Sequence, residues 1–390
     1  MMKKPLIIIL SLFVFLMTGC EKKEETPQEN VPEITDVPIQ HESEFGGIYI
    51  EETIEDFNAL GFEFGDSVDI TFSNGASLSD IPYYNGYYVD AGEALLVGYP
   101  GYDFIKVTLN YGQDLWDEFD LKQGSPNVKG LWALIKAEQH DKANVVLHEK
   151  GKYKAIQEAS DIHYYDERER YPSDVVFGNF RMMENGTIGK GKLYRSASPC
   201  NNKHNRASYV DALIKEAGIN CILNLADNEV KIERYIGKED FNSPYFLSLY
   251  EDNKVIPLAL NMNYMSEEFA EKIAQGFLQM NKQDGPYLVH CTEGKDRTGF
   301  VCALIEAVAG ADINEIIDDY MLTYDNYYEI NKEKDPEKYE LIRDRDIVAM
   351  MRFICNGDPY TSDLSKGARS YLMNAGMSEK DIDLFLEKIS

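Results

Sequence analysis

The chain has 390 residues, room for more than one domain, and 44% of them are hydrophobic, which excludes a disordered chain. Its formal net charge is -28, from 39 Lys and Arg against 67 Asp and Glu. That balance excludes non-specific binding to nucleic acid or to anionic lipid headgroups, although a small pocket can still carry a local field of opposite sign.

In chain order, the first pattern is an export signal. Lys3 and Lys4 precede a nearly unbroken apolar run from Pro5 to Met17, and Thr18, Gly19 and Cys20 follow. The run is shorter than the ~20 apolar residues of a membrane span and has the form of a secretory signal. Small residues directly before a cysteine resemble the bacterial lipobox, whose cysteine is acylated. Residues 1–19 are therefore expected to be a lipoprotein signal peptide, with Cys20 as the lipidation site. The protein is expected to be exported and lipid-anchored to the outer face of the bacterial cytoplasmic membrane or cell surface. Five other cysteines, Cys200, Cys221, Cys291, Cys302 and Cys355, show no paired metal spacing. An odd number in an exported chain leaves at least one thiol free.

Residues 20–45 are acidic, contain Pro27, Pro32 and Pro38, and have no apolar period, so they read as an extended linker. Residues 46–158 read as a small β-rich domain. Ser67 to Ser73 alternates and ends at Asn74-Gly75. Tyr83-Tyr84 and Tyr87-Tyr88 flank Asn85-Gly86, a strong short hairpin signal, and Phe104 to Leu109 reads as a further strand. Segments starting at Phe57 and Leu115 echo one another, each passing from a short helical turn to a glycine and a polar residue. Two such units suit a small barrel or sandwich. The region loosely resembles the small β domain of bacterial S-adenosylmethionine hydrolases. It carries no titratable cluster, so a binding or spacing role is expected of it.

From residue 159 to 390 the pattern changes to α/β. Ser208 to Ala217 has helical spacing, with Tyr209, Ala212, Leu213 and Ala217 on one face, and Ile219 to Leu225 follows as a buried strand. Ser266 caps a helix that carries Phe269, Ile273, Phe277 and Met280 on one face. Pro286 to Val289 is another buried strand, and Phe300 to Ala309 an apolar helix stopped by Gly310. Asp312 and Ser378 cap later helices. Short apolar strands alternating with helices predict a central, mostly parallel sheet flanked by helices.

The chemistry lies in Val289-His290-Cys291-Thr292-Glu293-Gly294-Lys295-Asp296-Arg297-Thr298-Gly299, between a predicted strand and a predicted helix. The first turn of a helix leaves N–H groups unpaired and carries partial positive charge. A loop curling into that turn can cradle a phosphate dianion, and Gly294 and Gly299 permit the sharp turn and close approach. Thr292, Glu293, Gly294, Lys295, Asp296 and Arg297 are the candidate phosphate-binding residues. Cys291 enters at the base of the cradle, where the same positive environment favours the thiolate, a nucleophile able to form a phosphocysteine. Arg297 can close over the cradle with its planar fork, and Thr298 can donate a hydrogen bond to the departing sulfur. His290 is expected to orient the loop rather than act as a base. The loop side chains Glu293, Lys295, Asp296 and Arg297 sum to zero charge, so attraction must come from Arg297 and backbone dipoles.

His-Cys-Thr-Glu-Gly-Lys-Asp-Arg-Thr-Gly resembles the signature of the cysteine-dependent protein tyrosine phosphatases. Its Lys-Asp-Arg-Thr-Gly ending is similar to the atypical bacterial branch, which acts on tyrosine and phosphoinositide phosphates. Phe177-Gly-Asn-Phe-Arg and Leu193-Tyr-Arg-Ser-Ala-Ser look like that family's opening strands. Asp319-Tyr-Met and Tyr371 to Ser378 resemble its C-terminal helices. Asn224-Leu-Ala-Asp-Asn-Glu departs from the family's usual Asp-Leu-Arg at that position. The resemblance implies that a carboxyl group protonates the leaving oxygen. Asp296 is the first candidate, Asp227 the alternative, and another carboxylate such as Asp252 a third. It also associates Lys295 with phosphoinositide recognition.

The leading expectation is an exported phosphatase acting on protein phosphotyrosine. The alternatives are an inositol phosphate or phosphoinositide phosphatase, and a catalytically idle phosphate-binding surface lipoprotein. The expected partners are a phosphorylated protein or inositol phosphate substrate and, through the N-terminal lipid, a membrane. No nucleic acid, metal or organic cofactor is implied, because a thiolate and Arg297 supply nucleophile and charge stabilisation.

Overall fold

A computed structural model describes residues 31–43, 46–90, 92–110, 113–122, 141–261 and 263–390. The expected signal peptide, Cys20, half of the expected linker and the Gly124-Ser125 end of the second echo lie outside the described residues.

The N-terminal strands are β1 (Glu33–His41), β2 (Ile48–Ile50), β3 (Ser67–Phe72), β4 (Ser77–Tyr84), β5 (Ala94–Val97), β6 (Ile105–Leu109) and β7 (Lys142–Glu149). They close a barrel in the order β1-β2-β6-β5-β4-β3-β7, with β1 pairing β7. Short helices α1 (Ile54–Ala59) and α2 (Leu115–Glu118) correspond to the two echoed turns. Side chains of Thr53 and Asp114 cap them, and each delivers an aromatic ring, Phe57 or Trp116, to the barrel core.

Two expectations need correction here. The linker does not run to residue 45, because Glu33–His41 is the strand that closes the barrel. Its core contacts are Ile34, Val37 and Ile39. The pairing register shifts between Ile34 and Val37, where Asp36 adopts φ 56°. This bulge inserts a residue and hides the alternation from a period-two reading. The second correction concerns Asn85-Gly86, which is not a hairpin turn. Strand β4 pairs β5 in parallel, Tyr83 opposite Leu96 and Tyr84 opposite Val97. Asn85 is instead tied to Gln157, through its backbone N–H at 3.2 Å and its side-chain Oδ1 at 2.8 Å. Asn74-Gly75 does turn the antiparallel β3–β4 hairpin, with Gly75 at φ 95°.

Gln157 belongs to helix α3 (Lys154–Ser160), which joins the two halves of the molecule. Its Ile156 packs with barrel residues Tyr84, Leu95 and Val97, while Ala159 packs into the second core.

The second half contains α4 (Asp174–Phe177), β8 (Arg181–Met183), β9 (Leu193–Ser196), α5 (Ala207–Glu216), β10 (Cys221–Asn224), α6 (Glu229–Ile236), α7 (Pro244–Glu251) and β11 (Val255–Pro257). It continues with α8 (Glu267–Met280), β12 (Tyr287–His290), α9 (Asp296–Val308), α10 (Ile313–Tyr328), α11 (Pro336–Arg343), α12 (Ala349–Cys355), α13 (Leu364–Asn374) and α14 (Glu379–Ile389). The sheet order is β11-β10-β12-β9-β8. Strands β11, β10, β12 and β9 run parallel, and β8 pairs antiparallel to β9 at the edge.

Alternation along the strands divides two cores. Ile222 and Leu288 face the side of α5, α6 and α7, whereas Leu223 and Val289 face α8 and α9. Helix α5 buries Val210 and Ile214 together with Asp211, rather than the face expected from Tyr209, Ala212 and Leu213. The cause is Asp211, whose carboxylate accepts the N–H groups of Tyr245 (3.2 Å) and Phe246 (2.6 Å) in the first turn of α7.

Candidate active site

Strand β12 ends at His290 and helix α9 begins at Asp296, so Cys291 to Lys295 form the connecting loop at the carboxyl edge of the parallel strands. Ligands of open α/β sheets bind at this edge. Cys291 is 3% exposed at the base of the loop.

Each loop carbonyl is held from outside. The Cys291 carbonyl accepts from His290 Nδ1 at 3.0 Å, and the Thr292 carbonyl from Ser198 N at 3.1 Å. Tyr327 Oη donates to the Glu293 carbonyl at 2.8 Å. Arg195 Nη2 at 3.0 Å and Asn179 Nδ2 at 3.2 Å both donate to the Gly294 carbonyl. The Lys295 carbonyl accepts from Gly299 N at 2.6 Å. By contrast, no backbone N–H from Thr292 through Thr298 has an acceptor among the described residues. With carbonyls turned outward and amides unspent, the loop offers a row of donors to an oxyanion. Gly294 sits at φ 72°, and a Cβ there would lie 2.4 Å from the Ser196 carbonyl oxygen, so only glycine fits.

The other predicted residues divide into several groups. Arg297 donates from Nη1 to the Leu260 carbonyl (3.1 Å) and from Nη2 to Thr292 Oγ1 (3.4 Å). Its Nε is buried and has no acceptor among the described residues. The buried Thr298 hydroxyl likewise has no partner among them. Burial pushes the His290 imidazole down to about 4, against its bond to the Cys291 carbonyl. It is therefore neutral near pH 7, and because a carbonyl only accepts, its proton sits on Nδ1.

Glu293 turns aside, with its carboxylate 3.6 Å from His204 Nε2. Lys295 Nζ lies over the rings of Tyr324 and Tyr328 and 3.8 Å from Asp296 Oδ1. Burial alone would lower its pKa, but Asp296, Tyr328 and Glu293 lift it well above the ordinary lysine value. The Asp296 carboxyl is raised, first by desolvation and then by Glu293 and Asp346, against the pull of Lys295.

Asp227 is 3% exposed, and its two oxygens accept from Asn224 Nδ2 (3.3 Å) and Tyr235 Oη (3.2 Å). Asp252 caps the end of α7, just before β11 and at the edge of the parallel strands opposite Cys291, so the geometry removes it as a candidate acid.

Sequence reasoning gave no individual roles to the residues that hold the loop. Arg195 and Arg181 share Asp319: Arg181 Nε lies 2.7 Å from Oδ1, and Arg195 Nη1 pairs with Oδ2. Burial alone would raise the Asp319 carboxyl, but the two guanidinium groups outweigh it and hold it at about 2. Arg181 also fixes Asn179 Oδ1 at 2.6 Å. The only sequence signal for this scaffold was the resemblance of the segments containing Asn179, Arg181, Arg195 and Asp319.

The model of the tyrosine phosphatase family matches residues 177–384, more than half the chain, and the chain belongs to that family. A tyrosine-protein phosphatase of Nostoc commune is 26% identical over 117 residues. The match covers 26% of this chain and 38% of that protein, so the chain spans well under half the relative's length. Among solved structures, the core catalytic domain of the PP-IP phosphatase SIW14 from S. cerevisiae, in complex with citrate, is 18% identical with a TM-score of 0.26. That match covers 47% of this chain and 92% of the other. P. aeruginosa TpbA is 16% identical with a TM-score of 0.25, covering 44% and 91%.

Asp319→Asn leaves two buried guanidinium groups short of a counter-charge and is expected to cost about 3–5 kcal/mol. Because the folded-state pKa of Asp319 is depressed to about 2, its contribution is complete above the unfolded value near 4 and lost as pH falls toward 2. Urea unfolding should show the variant destabilised at pH 7, with the gap to wild type narrowing as pH drops below about 4. A gap constant with pH would show that Asp319 carries no such linkage.

Proposed function

We propose that the protein hydrolyses phosphate monoesters through a phosphocysteine, with protein phosphotyrosine as its substrate, as a member of the atypical bacterial branch. The observation that carries this reading is the loop itself: unspent amides from Thr292 to Thr298, Cys291 at their base, and the buried Arg297 Nε without an acceptor. In the first step the Cys291 thiolate attacks phosphorus and the phosphorus–oxygen ester bond breaks. Asp296 gives its proton to the leaving oxygen, a role suited to a carboxyl whose pKa is raised. The loop amides and Arg297 hold the equatorial oxygens as charge spreads over them. In the second step water attacks, Asp296 takes the proton and the phosphorus–sulfur bond breaks. Thr298 then donates its free hydroxyl to the departing sulfur.

The inositol phosphate alternative rests on Lys295, which keeps its charge beside the loop. A panel of phosphotyrosine peptide, phosphoserine peptide, phosphoinositide and phytate separates the readings. Wild type is expected to turn over the phosphotyrosine peptide fastest, without added metal, and to yield an acid-stable phosphothioester in a rapid quench. Cys291→Ser should abolish both turnover and intermediate; undiminished turnover would defeat the assignment.

Asp296→Asn should slow esters with poor leaving groups by roughly 10²–10⁴-fold and activated aryl phosphates far less. Since the acid must be protonated, wild-type kcat for a poor leaving group should fall as pH rises through the raised carboxyl pKa. The variant should lose that alkaline limb. Equal slowing of both ester types would move the acid role away from Asp296.

We also propose that the protein is exported and lipid-anchored through Cys20, as the Lys3 to Cys20 pattern suggests. Among the described residues no helix is long and apolar enough to cross a membrane. Labelled fatty acid should be incorporated in the native host and lost in Cys20→Ala. Equal labelling of the variant would rule out this anchor.

A further inference from the structure

The barrel contributes to the surroundings of the catalytic loop. A cavity of about 280 Å³ is lined by Lys295 and Asp296 from the catalytic segment, Tyr324 and Tyr328 from α10, and Tyr87 and Tyr88 from the barrel. It adjoins a larger cleft of about 800 Å³ between the barrel and α11. Tyr88, Val89, Asp90 and Arg345 line both, so one groove runs from the interdomain surface to the wall of the phosphate loop.

The groove has a mixed lining. Tyr84, Ile156 and Leu341 supply apolar surface, and Leu341 is left 37% exposed. Asp90, Glu93, Glu337 and Glu340 line the cleft and form no salt bridge among the described residues. The nearby cation Arg345 is already committed to Asp346 at 2.7 Å, and Lys152 is committed to Asp80. The surplus charge of the cleft is therefore negative, on the approach to a loop that takes a dianion.

We propose that this groove docks the polypeptide of a phosphoprotein substrate carrying lysine or arginine close to the phosphorylated residue. The proposal rests on the phosphatase reading above and narrows its substrate class. Basic side chains can lay their aliphatic stems on the tyrosine and leucine surface and set their charges against the unpaired carboxylates. An inositol polyphosphate meets more carboxylates than cations in the cleft. The barrel thus acts as one wall of a substrate site rather than as a spacer.

The test uses two phosphotyrosine peptides of equal length, flanked by lysine and arginine in one and by aspartate and glutamate in the other. Each is assayed with the full chain and with Glu337→Lys/Glu340→Lys, both exposed on α11 and outside the catalytic machinery. An aryl phosphate too small to reach the cleft reports catalytic integrity. Wild type should favour the basic peptide by about tenfold or more in kcat/KM at low salt, and the preference should shrink as salt rises. The double variant should lose the preference while keeping aryl phosphate turnover. Asp90→Lys, on the barrel side of the groove, should reduce it as well. Anisotropy of the labelled basic peptide on Cys291→Ser should show the same order of binding without turnover. Equal kcat/KM for the two peptides, or a preference unchanged in the variants, overturns the docking proposal. Absent aryl phosphate turnover in wild type, with peptide binding intact, would instead remove the phosphatase reading.

Discussion

The site depends on a backbone turned inside out. From Cys291 to Lys295 each carbonyl is drawn outward by a donor, while the amides behind them are left unspent. An unpaired buried N–H is costly, so an isolated loop would not keep this arrangement. It persists because the donors are themselves fixed. Arg195 is pinned by Asp319, which is pinned by Arg181, which also holds Asn179 in place. One buried carboxylate shared by two guanidinium groups therefore reaches the phosphate cradle through the carbonyl of Gly294. Removing Asp319 leaves two guanidinium groups without their shared counter-charge, which costs far more than the net worth of the intact cluster.

The same logic supports the proposal that a loop with no net side-chain charge attracts a dianion. Glu293 is the residue most damaging to anion binding, and its carboxylate is drawn aside to His204. His204 is also bonded to Tyr164 and Asp166, in the segment that follows α3. Arg206 anchors that segment from among the rings of Tyr164, Tyr171, Phe177 and Tyr327. Tyr327 in turn holds the Glu293 carbonyl. The connection between barrel and catalytic domain is thus built into the electrostatics of the loop.

What could be read from the sequence was local. Cys291, Arg297 and the two glycines lie within one short segment, and a strand-to-helix turn gives that segment a definite geometry. The clamps could not be read in this way, because Asn179, Arg195, Asp319 and Tyr327 meet the loop only through tertiary packing. Strand β1 was hidden for a different reason: its bulge at Asp36 breaks the alternation on which strand reading relies. Asn85-Gly86 misled because its side chain serves Gln157 instead of a two-residue turn. Asp211 shows the same effect on a helix, where a carboxylate on the buried face caps a neighbouring helix and displaces the expected apolar stripe.

The choice between the two candidate acids also follows from packing. Asp227 follows a strand that would suit an acid-bearing loop, yet both its oxygens accept hydrogen bonds from Asn224 and Tyr235, and it is almost fully buried. With both oxygens engaged and the side chain buried, Asp227 is poorly placed to reach a leaving oxygen. Asp296 is in the opposite situation. It lies in the first turn of α9, faces the interdomain cavity and has no hydrogen-bond donor other than the distant Lys295 ammonium among the described residues. Desolvation and the neighbouring carboxylates favour its neutral form. In the proposed mechanism nucleophile, guanidinium clamp and acid all come from one strand-loop-helix unit, so their relative positions are set by a single turn of backbone. An acid carried on a separate loop would have to close over each substrate. Under the docking proposal the comparable surface is provided by the barrel, which leaves substrate choice to the groove walls and chemistry to the loop.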